Sequence, residues 1–491
     1  MDYLDPVKKR SHAIRLYIGY GLFTIVIAIV TVILVLIGNG WYVDRNTGDL
    51  IQNGQLIINS DPDGATIYLN GHQERPKTAG RLVVPSGAYA VTLKRDGYRD
   101  WQTNVTLDGG VIERLDYARL IPQNLSPAVI QTFASTPYAL SQSNDRRYLT
   151  LQFTDKPLTF FIMDLTQPDA TPKEITLTAA QFSDQKQIGT LSIGEWADDN
   201  KHFVAKNVVD NVVKDYFVVN RAAPEETVNI TKELRLEAGT ELSLRDLAYD
   251  QYYVYDPALK TLDTINLDGK AAVNKPKNVL AYRTFGSDMV LYVTTDGASS
   301  TSKVQARLAS GDKTYLMREL AVSSTYLLAL AKQGSSPVVA VGAPSENKVT
   351  VLRNPVGYLQ NHTDQTVPMA TTVLQVTAPS DVSFSTDGTA VMARGGQNVA
   401  THNFDEDRSA KFVLTVPVSA EKLYWVDGKH LKIASGGFAY IVDYNGDNLQ
   451  KLNPTLDSLS SYYDNNYQAL FTFTSGANGR PFLVSRSALK P

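Results

Sequence analysis

The most distinct pattern in the chain is an uninterrupted apolar run near its start. No charged residue occurs from Leu16 to Val43, and Ile18–Ile37 is almost wholly apolar. Twenty such residues in a helix span about 30 Å, which is the thickness of the hydrocarbon core of a membrane. The pattern therefore predicts a transmembrane helix over residues 17–38.

The flanks of this run predict its orientation. The four basic residues before it are Lys8, Lys9, Arg10 and Arg15. Because positive residues stay on the cytoplasmic side, we expect residues 1–16 in the cytoplasm and the bulk of the chain outside. The run exceeds the 7–15 residues of a signal-peptide core and lacks a small-residue cleavage site, which favours a retained anchor in the lipid bilayer. We expect a single-pass protein of the cell membrane.

Beyond the helix, apolar residues occur in short runs separated by turn residues. Residues 39–55 predict an extracytoplasmic stalk or hairpin, with turns at Asn46-Thr47-Gly48 and Asn53-Gly54. Further on, Tyr89, Val91 and Leu93 alternate with other residues, which places them on one face of a strand. This period of two predicts a small strand domain over residues 56–121.

The motifs of this strand domain resemble those of the PEGA domain. They are Pro62-Asp63-Gly64-Ala65, Tyr68-Leu69-Asn70-Gly71, Pro85-Ser86-Gly87 with Tyr89, and Gly97-Tyr98. The chain departs from the family pattern in having Asp63 for glutamate, and Lys77-Thr78-Ala79 where a Thr-Pro pair is usual. The resemblance implies a small β-sandwich-like module of an extracytoplasmic surface or envelope protein, without known catalysis. Anchor, stalk and module together look like a group of uncharacterised bacterial envelope proteins.

Residues 125–491 show no long amphipathic helix but many runs of four to eight apolar residues between turns. Strand–turn–strand units recur loosely, and the clearest neighbours are about one propeller blade apart. The units are Ser143–Tyr148, Trp196–Phe203, Phe285–Asp288, Phe384–Val391, Trp425–Leu431 and Tyr463–Tyr467. They look like the turns of TolB-like and WD-like propellers, which predicts a β-propeller of seven or eight blades. A pair of β-sandwiches is the alternative fold.

Composition narrows the classes of function. The chain has 491 residues, a net charge of −3 and no cysteine. It has no excess of positive charge for nucleic-acid binding, and thiolate chemistry is excluded. The six histidines do not stand at metal-ligand spacing, and no catalytic or cofactor-binding motif occurs. We therefore predict no enzyme, no cofactor, no metal and no nucleic-acid partner.

One turn comes near to a calcium loop. Asp443, Asn445 and Asp447 have the first three ligand spacings of such a loop, but Asn448 and Pro454 replace its glycine and its glutamate. A hairpin turn is the favoured interpretation.

Two groups of tyrosines are the remaining candidates for binding. The first group is Tyr249, Tyr252, Tyr253 and Tyr255. By alternation, Tyr253 and Tyr255 share one sheet face and Tyr252 the other, so packing is expected for this group. The second group flanks a predicted turn, where exposure is more expected, and its members are Tyr462, Tyr463 and Tyr467. Exposed tyrosines stack on sugars or anchor protein interfaces.

The sequence thus predicts a mainly β envelope protein that displays a propeller to a protein or glycan partner. Two alternatives stay open: an architectural component that self-associates, and an envelope enzyme with its site in the propeller channel.

Overall fold

The structure is a computed structural model. It describes residues 6–38, 40–43, 48, 50–269, 276–286, 289–311, 313–417, 423–476 and 480–490. The chain divides into two compact units, Met1–Gln123 and Asn124–Pro491.

The first unit begins with helix α1 (Pro6–Gly38). Within His12–Gly38, the most apolar 18-residue stretch has a mean hydropathy of 3.0 and is 0% buried. The hydroxyls of Thr24 and Thr31 donate to carbonyl oxygens one turn earlier, each at 2.8 Å, so they present no unpaired polar group to an apolar surrounding. A helix therefore lies where the apolar run predicts one. Its orientation stays a prediction.

Two sheets follow in the first unit. Their strands are β1 (Trp41–Val43), β2 (Leu50–Asp61), β3 (Thr66–Leu69), β4 (His72–Lys77), β5 (Gly80–Pro85), β6 (Gly87–Lys94), β7 (Trp101–Leu107) and β8 (Ile112–Arg119). In one sheet, β2 pairs antiparallel with β1 and β5 and parallel with β8. The other has the order β4-β3-β6-β7.

The two sheets share a small hydrophobic core. Trp101 of β7 is fully buried and meets Tyr117 of β8 edge to face, with ring centroids 5.5 Å apart. Val91 and Leu93 are buried on the face that alternation predicts. Thr78 lies in the segment that replaces the usual Thr-Pro pair. Its hydroxyl accepts the N–H of Ala65 at 2.9 Å, so the module accommodates this change. The sandwich-like module is confirmed.

The predicted turn at Asn53-Gly54 is wrong, because both residues lie inside β2. Gly54 is there for a different reason: an added Cβ would come within 2.6 Å of the Asp108 carbonyl oxygen and of Leu107. Close approach of a neighbouring backbone therefore excludes a side chain in mid-strand. The other predicted stalk turn includes residues 46 and 47, which lie outside the described residues.

The second unit is a series of sheets, which we number 1 to 8 in chain order. The strands before sheet 3 are β9 (Ala128–Phe133), β10 (Ala139–Gln142), β11 (Tyr148–Phe153), β12 (Lys156–Asp164), β13 (Lys173–Thr176), β14 (Thr190–Trp196), β15 (His202–Val209), β16 (Val212–Asn220) and β17 (Val228–Asn229). Sheets 3 to 5 contain β18 (Glu241–Leu244), β19 (Gln251–Asp256), β20 (Thr261–Asn266), β21 (Val279–Phe285), β22 (Met289–Thr294), β23 (Lys303–Ser310), β24 (Lys313–Ala321), β25 (Leu327–Gln333), β26 (Ser336–Ala343), β27 (Lys348–Arg353) and β28 (Thr372–Gln375).

Sheets 6 to 8 contain β29 (Asp381–Phe384), β30 (Ala390–Gly395), β31 (Asn398–Asn403), β32 (Arg408–Val413), β33 (Tyr424–Trp425), β34 (His430–Ser435), β35 (Phe438–Asp443), β36 (Gln450–Pro454), β37 (Tyr462–Tyr463), β38 (Ala469–Ser475) and β39 (Phe482–Ala488). Two short helices, α2 (Ile230–Leu234) and α3 (Pro355–Asn361), lie in connections. Short 3-10 turns occur at Ala179–Gln181, Pro224–Glu226, Arg245–Leu247 and Pro344–Glu346.

Sheet order shows a closed ring. Within the described residues, every sheet takes consecutive antiparallel strands in order, sheet 3 with three strands and the others with four. Sheet 8 is the exception, because its fourth strand is β9 from the start of the unit, paired with β39. The end of the unit is thereby joined to its beginning, which is a propeller and excludes a pair of separate sandwiches. The described residues of this unit form eight sheets. The blade count of seven or eight stays a prediction.

Hydrophobic clusters fill the space between neighbouring sheets. One contains Phe153 of sheet 1 with Phe473 and Phe482 of sheet 8, so the closing contact is packed as well as hydrogen-bonded. The first strands contact one another around the axis, as β21 does with β25 and β25 with β29. The first strand of each sheet therefore faces the central channel.

Candidate binding sites in the propeller

The predicted tyrosine group lies beside a pocket of about 290 Å³ at the channel. We call this the tyrosine pocket. Sheets 1, 7 and 8 form it, and its main side chains are those of Gln142, Arg146, Trp425, Lys432, Tyr462 and Tyr463. The chain thus brings two of the three predicted tyrosines into one concave site.

The expected exposure of these tyrosines is wrong for Tyr463, which is only 3% exposed. It pairs with Leu470 in sheet 8, and its carbonyl oxygen accepts the Gln142 side-chain amide at 2.8 Å. Tyr462 is half-buried, with its ring 5.9 Å from the ring of Phe473. Pairing in a short strand buries one tyrosine and leaves the other at the pocket wall. Their role in binding stays a prediction.

Tyr467 lies in the turn after these two residues and supports a cation. The guanidinium of Arg146 stands 4.4 Å from the centre of the Tyr467 ring. The hydroxyl of Tyr467 donates to the Val426 carbonyl oxygen at 3.0 Å, and Arg146 donates to the same oxygen at 2.6 Å. Tyr467 therefore positions Arg146 across the junction of sheets 1, 7 and 8.

A second cation lies at the other side of the pocket. The ammonium of Lys432 stands 4.6 Å from the centre of the Tyr462 ring and donates to the Ser461 carbonyl oxygen. Two cations beside aromatic faces suit a ligand group that is negatively charged or rich in hydroxyls. Sequence reasoning missed Arg146, Trp425 and Lys432 as site residues.

A larger cavity, of about 710 Å³, lies along sheets 2 to 4 and the connection before β25. We call this the large cavity. Its charged side chains come from four strands and have both signs: Glu195 of β14, Lys206 of β15, Glu241 of β18 and Arg283 of β21. No pattern in the sequence pointed to this set.

The walls of the large cavity alter the acidity of its side chains. Burial raises the pKa of Glu195, while its hydrogen bond from the Leu244 N–H at 2.7 Å and the charge of Lys206 act in the opposite direction. Burial also raises the pKa of Tyr282, with further contributions from Glu241 and Glu195. The Tyr282 hydroxyl donates to a Glu241 oxygen at 3.4 Å. Both carboxylates thus favour the neutral form of the Tyr282 hydroxyl.

Tyr216 gives this cavity a rigid aromatic wall. Its hydroxyl donates to the Thr240 carbonyl oxygen at 2.9 Å and accepts the Leu242 N–H at 3.1 Å. Burial raises its pKa to about 12. The ammonium of Lys206 stands 5.7 Å from the centre of its ring.

The remaining sequence candidates take part in local structure. Tyr253 and Tyr255 pack between sheets 3 and 4, and Tyr252 packs between sheets 2 and 3, as alternation predicts. The expected packing is wrong for Tyr249, which is 42% exposed and stacks on the His202 ring. In the turn after β35, Asp443 accepts the Asn448 amide at 2.8 Å, and Asn445 donates to Asp447 at 2.9 Å. Among the described residues, no group of three or more His, Asp or Glu could hold a metal ion.

The comparisons with known proteins cover different parts of the chain. Residues 53–118 match the family model of the PEGA domain. No curated protein matches the chain. Among solved structures, Kluyveromyces lactis Hsv2 is 11% identical with a TM-score of 0.39, and the match covers 74% of this chain and all of that one. The Dos1 propeller is 11% identical with a TM-score of 0.41, and the match covers 74% of this chain and 95% of that one.

The β-propeller domain of Myceliophteria thermophila Cps50 (Swd1) is 10% identical with a TM-score of 0.36, covering 73% of this chain and 99% of that one. The propeller assignment rests on the sheet order and closure of this chain.

Proposed function

We propose that this chain, a PEGA module followed by a propeller, is a membrane-anchored binding or scaffold protein of the bacterial cell envelope. Helix α1 holds the chain in the membrane, and the module spaces the propeller from it. The propeller then presents the tyrosine pocket to an extracytoplasmic protein or glycan.

The tyrosine pocket is the observation that carries this proposal. It combines a half-buried aromatic ring with the two cations Arg146 and Lys432 in a concave site. Aromatic and arginine side chains in such pockets supply most of the energy of many interfaces. Because the site is built from three sheets held by ring closure, it is preorganised for binding.

The test is binding of the full chain, held in lipid nanodiscs, to isolated envelope material. Lys432→Gln removes the charge but keeps a donor for the Ser461 carbonyl, and we expect at least about a tenfold loss of affinity. Tyr462→Ala should weaken binding similarly, with some loss of thermal stability because the ring packs on Phe473. Lys186→Gln, at an exposed lysine in the connection between β13 and β14, is the matched control.

Unchanged binding in both pocket variants would refute the pocket as the contact site. Self-association of the nanodisc-held chain, with no affinity for envelope material, would instead support the architectural alternative.

A hydrolase is the second candidate function, and the large cavity is the observation that favours it. Glu195, with its raised pKa, and Glu241 line the same cavity, and paired carboxylates can act as general acid and base. Turnover of a glycan or peptide substrate that is abolished by both Glu195→Gln and Glu241→Gln would establish it. The absence of turnover would leave binding as the function.

A further inference from the structure

The large cavity has a feature that the tyrosine pocket lacks: charged side chains of both signs line it. Its volume of about 710 Å³ falls within the range of small-ligand sites. Two carboxylates and two cations line it, so the lining has no net charge. A ligand that gains from all of these groups must itself carry both signs.

The two carboxylates are held in place by the strands around them. One oxygen of Glu195 accepts the Leu244 N–H, and Glu241 accepts the Tyr282 hydroxyl. Because the walls make ionised Glu195 costly, a positive ligand group beside it would stabilise the charged form.

Of the two cations, Lys206 lies on the strand next to that of Glu195, and Arg283 comes from sheet 4. Arg283 is exposed to the cavity, and one of its terminal nitrogens donates to the Tyr282 carbonyl oxygen at 3.0 Å, which orients the guanidinium. A guanidinium binds a carboxylate through two parallel hydrogen bonds. Ser243 also lines the cavity, and its Oγ is buried and has no hydrogen-bond partner among the described residues. A polar group at the middle of a ligand would satisfy it.

We propose that the large cavity binds a zwitterionic ligand of the amino-acid class, a short peptide with free termini. Its ammonium lies against Glu195 and Glu241, its carboxylate against Arg283, and its amides near Ser243. This site is separate from the tyrosine pocket of the proposed function.

The test is calorimetric titration of the full chain in nanodiscs with trialanine and its blocked forms. Acetylating the amino terminus and amidating the carboxyl terminus should each weaken binding by at least about tenfold. Glu241→Gln should weaken binding of free trialanine by a similar factor and barely change binding of the acetylated peptide. Arg283→Gln should likewise weaken binding of free trialanine and barely change binding of the amidated peptide. Glu225→Gln, at an exposed residue away from the cavity, should change nothing.

Three results would overturn the inference. The first is no binding of trialanine at millimolar concentration, and the second is equal affinity for free and blocked peptides. The third is that the loss from a substitution and the loss from blocking the matching peptide terminus simply add when the two changes are combined. Melting curves of each variant identify any that fail to fold, and charge-blocked peptides on the unmodified chain still decide the question. If envelope binding depends on Lys432 while trialanine does not bind, this inference alone fails and the proposed function stands.

Discussion

At the residue scale, a buried carboxylate in sheet 2 shows how polar groups are accommodated inside the propeller. Asp215 is 1% exposed and accepts hydrogen bonds from the Ser183 N–H at 2.9 Å and from two side-chain amides, Asn207 and Asn229, at 2.8 Å each. Burial alone would raise the pKa of Asp215, but these hydrogen bonds to the ionised form outweigh it and lower the pKa. The carboxylate joins the connection before β14 to the sheet.

Replacing this carboxylate gives a test with a defined pH dependence. Asp215→Asn places an amide against three donors, and we expect it to reduce the free energy of unfolding by about 2 to 3 kcal/mol at pH 7. A lowered folded-state pKa gives stability that is complete above the unfolded value near 3.8 and is lost as pH falls. The difference between variant and parent should therefore shrink in acid. Asp169→Asn, at an exposed aspartate, is the control.

Denaturant unfolding at pH 7 and at a pH well below the unfolded value near 3.8 measures both quantities. A deficit that is equal at the two pH values would contradict the ionised-carboxylate account.

At the element scale, the turns between first and second strands were the best predicted feature of the propeller. Asp199, Asp387 and Asp427 each accept the N–H two residues later, at 2.8, 3.1 and 2.8 Å. This local hydrogen bond is why an aspartate marks a turn in the sequence. The unit at Phe285–Asp288 also joins two such strands, although residues 287 and 288 lie outside the described residues.

Other turns gave no such signal. The connection from β25 to β26 uses Gly334 at φ +59° without an aspartate, and that from β18 to β19 contains an irregular 3-10 turn. Neither pocket could be predicted either. Gln142, Trp425 and Tyr462 are brought together only when sheets 1, 7 and 8 meet through ring closure, and no spacing along the chain encodes that meeting.

Ring closure itself can be tested by deletion. Strands β38 and β39 pair with each other, and β39 also pairs with β9. Removing residues 461–491 would leave β9 and the sheet 1 side of the Phe153–Phe482 cluster uncovered. We expect loss of the cooperative transition and aggregation through exposed strand edges.

The milder change Phe482→Ala should cost about 3 to 5 kcal/mol, because this side chain is fully buried. Chemical unfolding of the full chain in detergent measures it. A deletion variant that stays soluble and cooperatively folded would contradict a closed ring.

At the scale of the whole molecule, the chain has three parts: an apolar helix, a small two-sheet module and a closed ring of sheets. The sequence alone predicted each part, because each has its own period of apolar residues: an unbroken run, strict alternation, and repeated short runs. Which side of the membrane the propeller occupies depends on a different signal, the basic residues before the apolar run.

The most direct test of the display account is therefore protease treatment of intact spheroplasts that carry the full chain with a tag at each end. We predict that added protease removes the propeller and its tag, while the tag before α1 survives until the membrane is permeabilised. Replacing Lys8, Lys9, Arg10 and Arg15 with glutamate should disturb this pattern, since it removes the positive residues that determine orientation. A propeller that stays protected in intact spheroplasts, and is digested only after permeabilisation, would contradict the account.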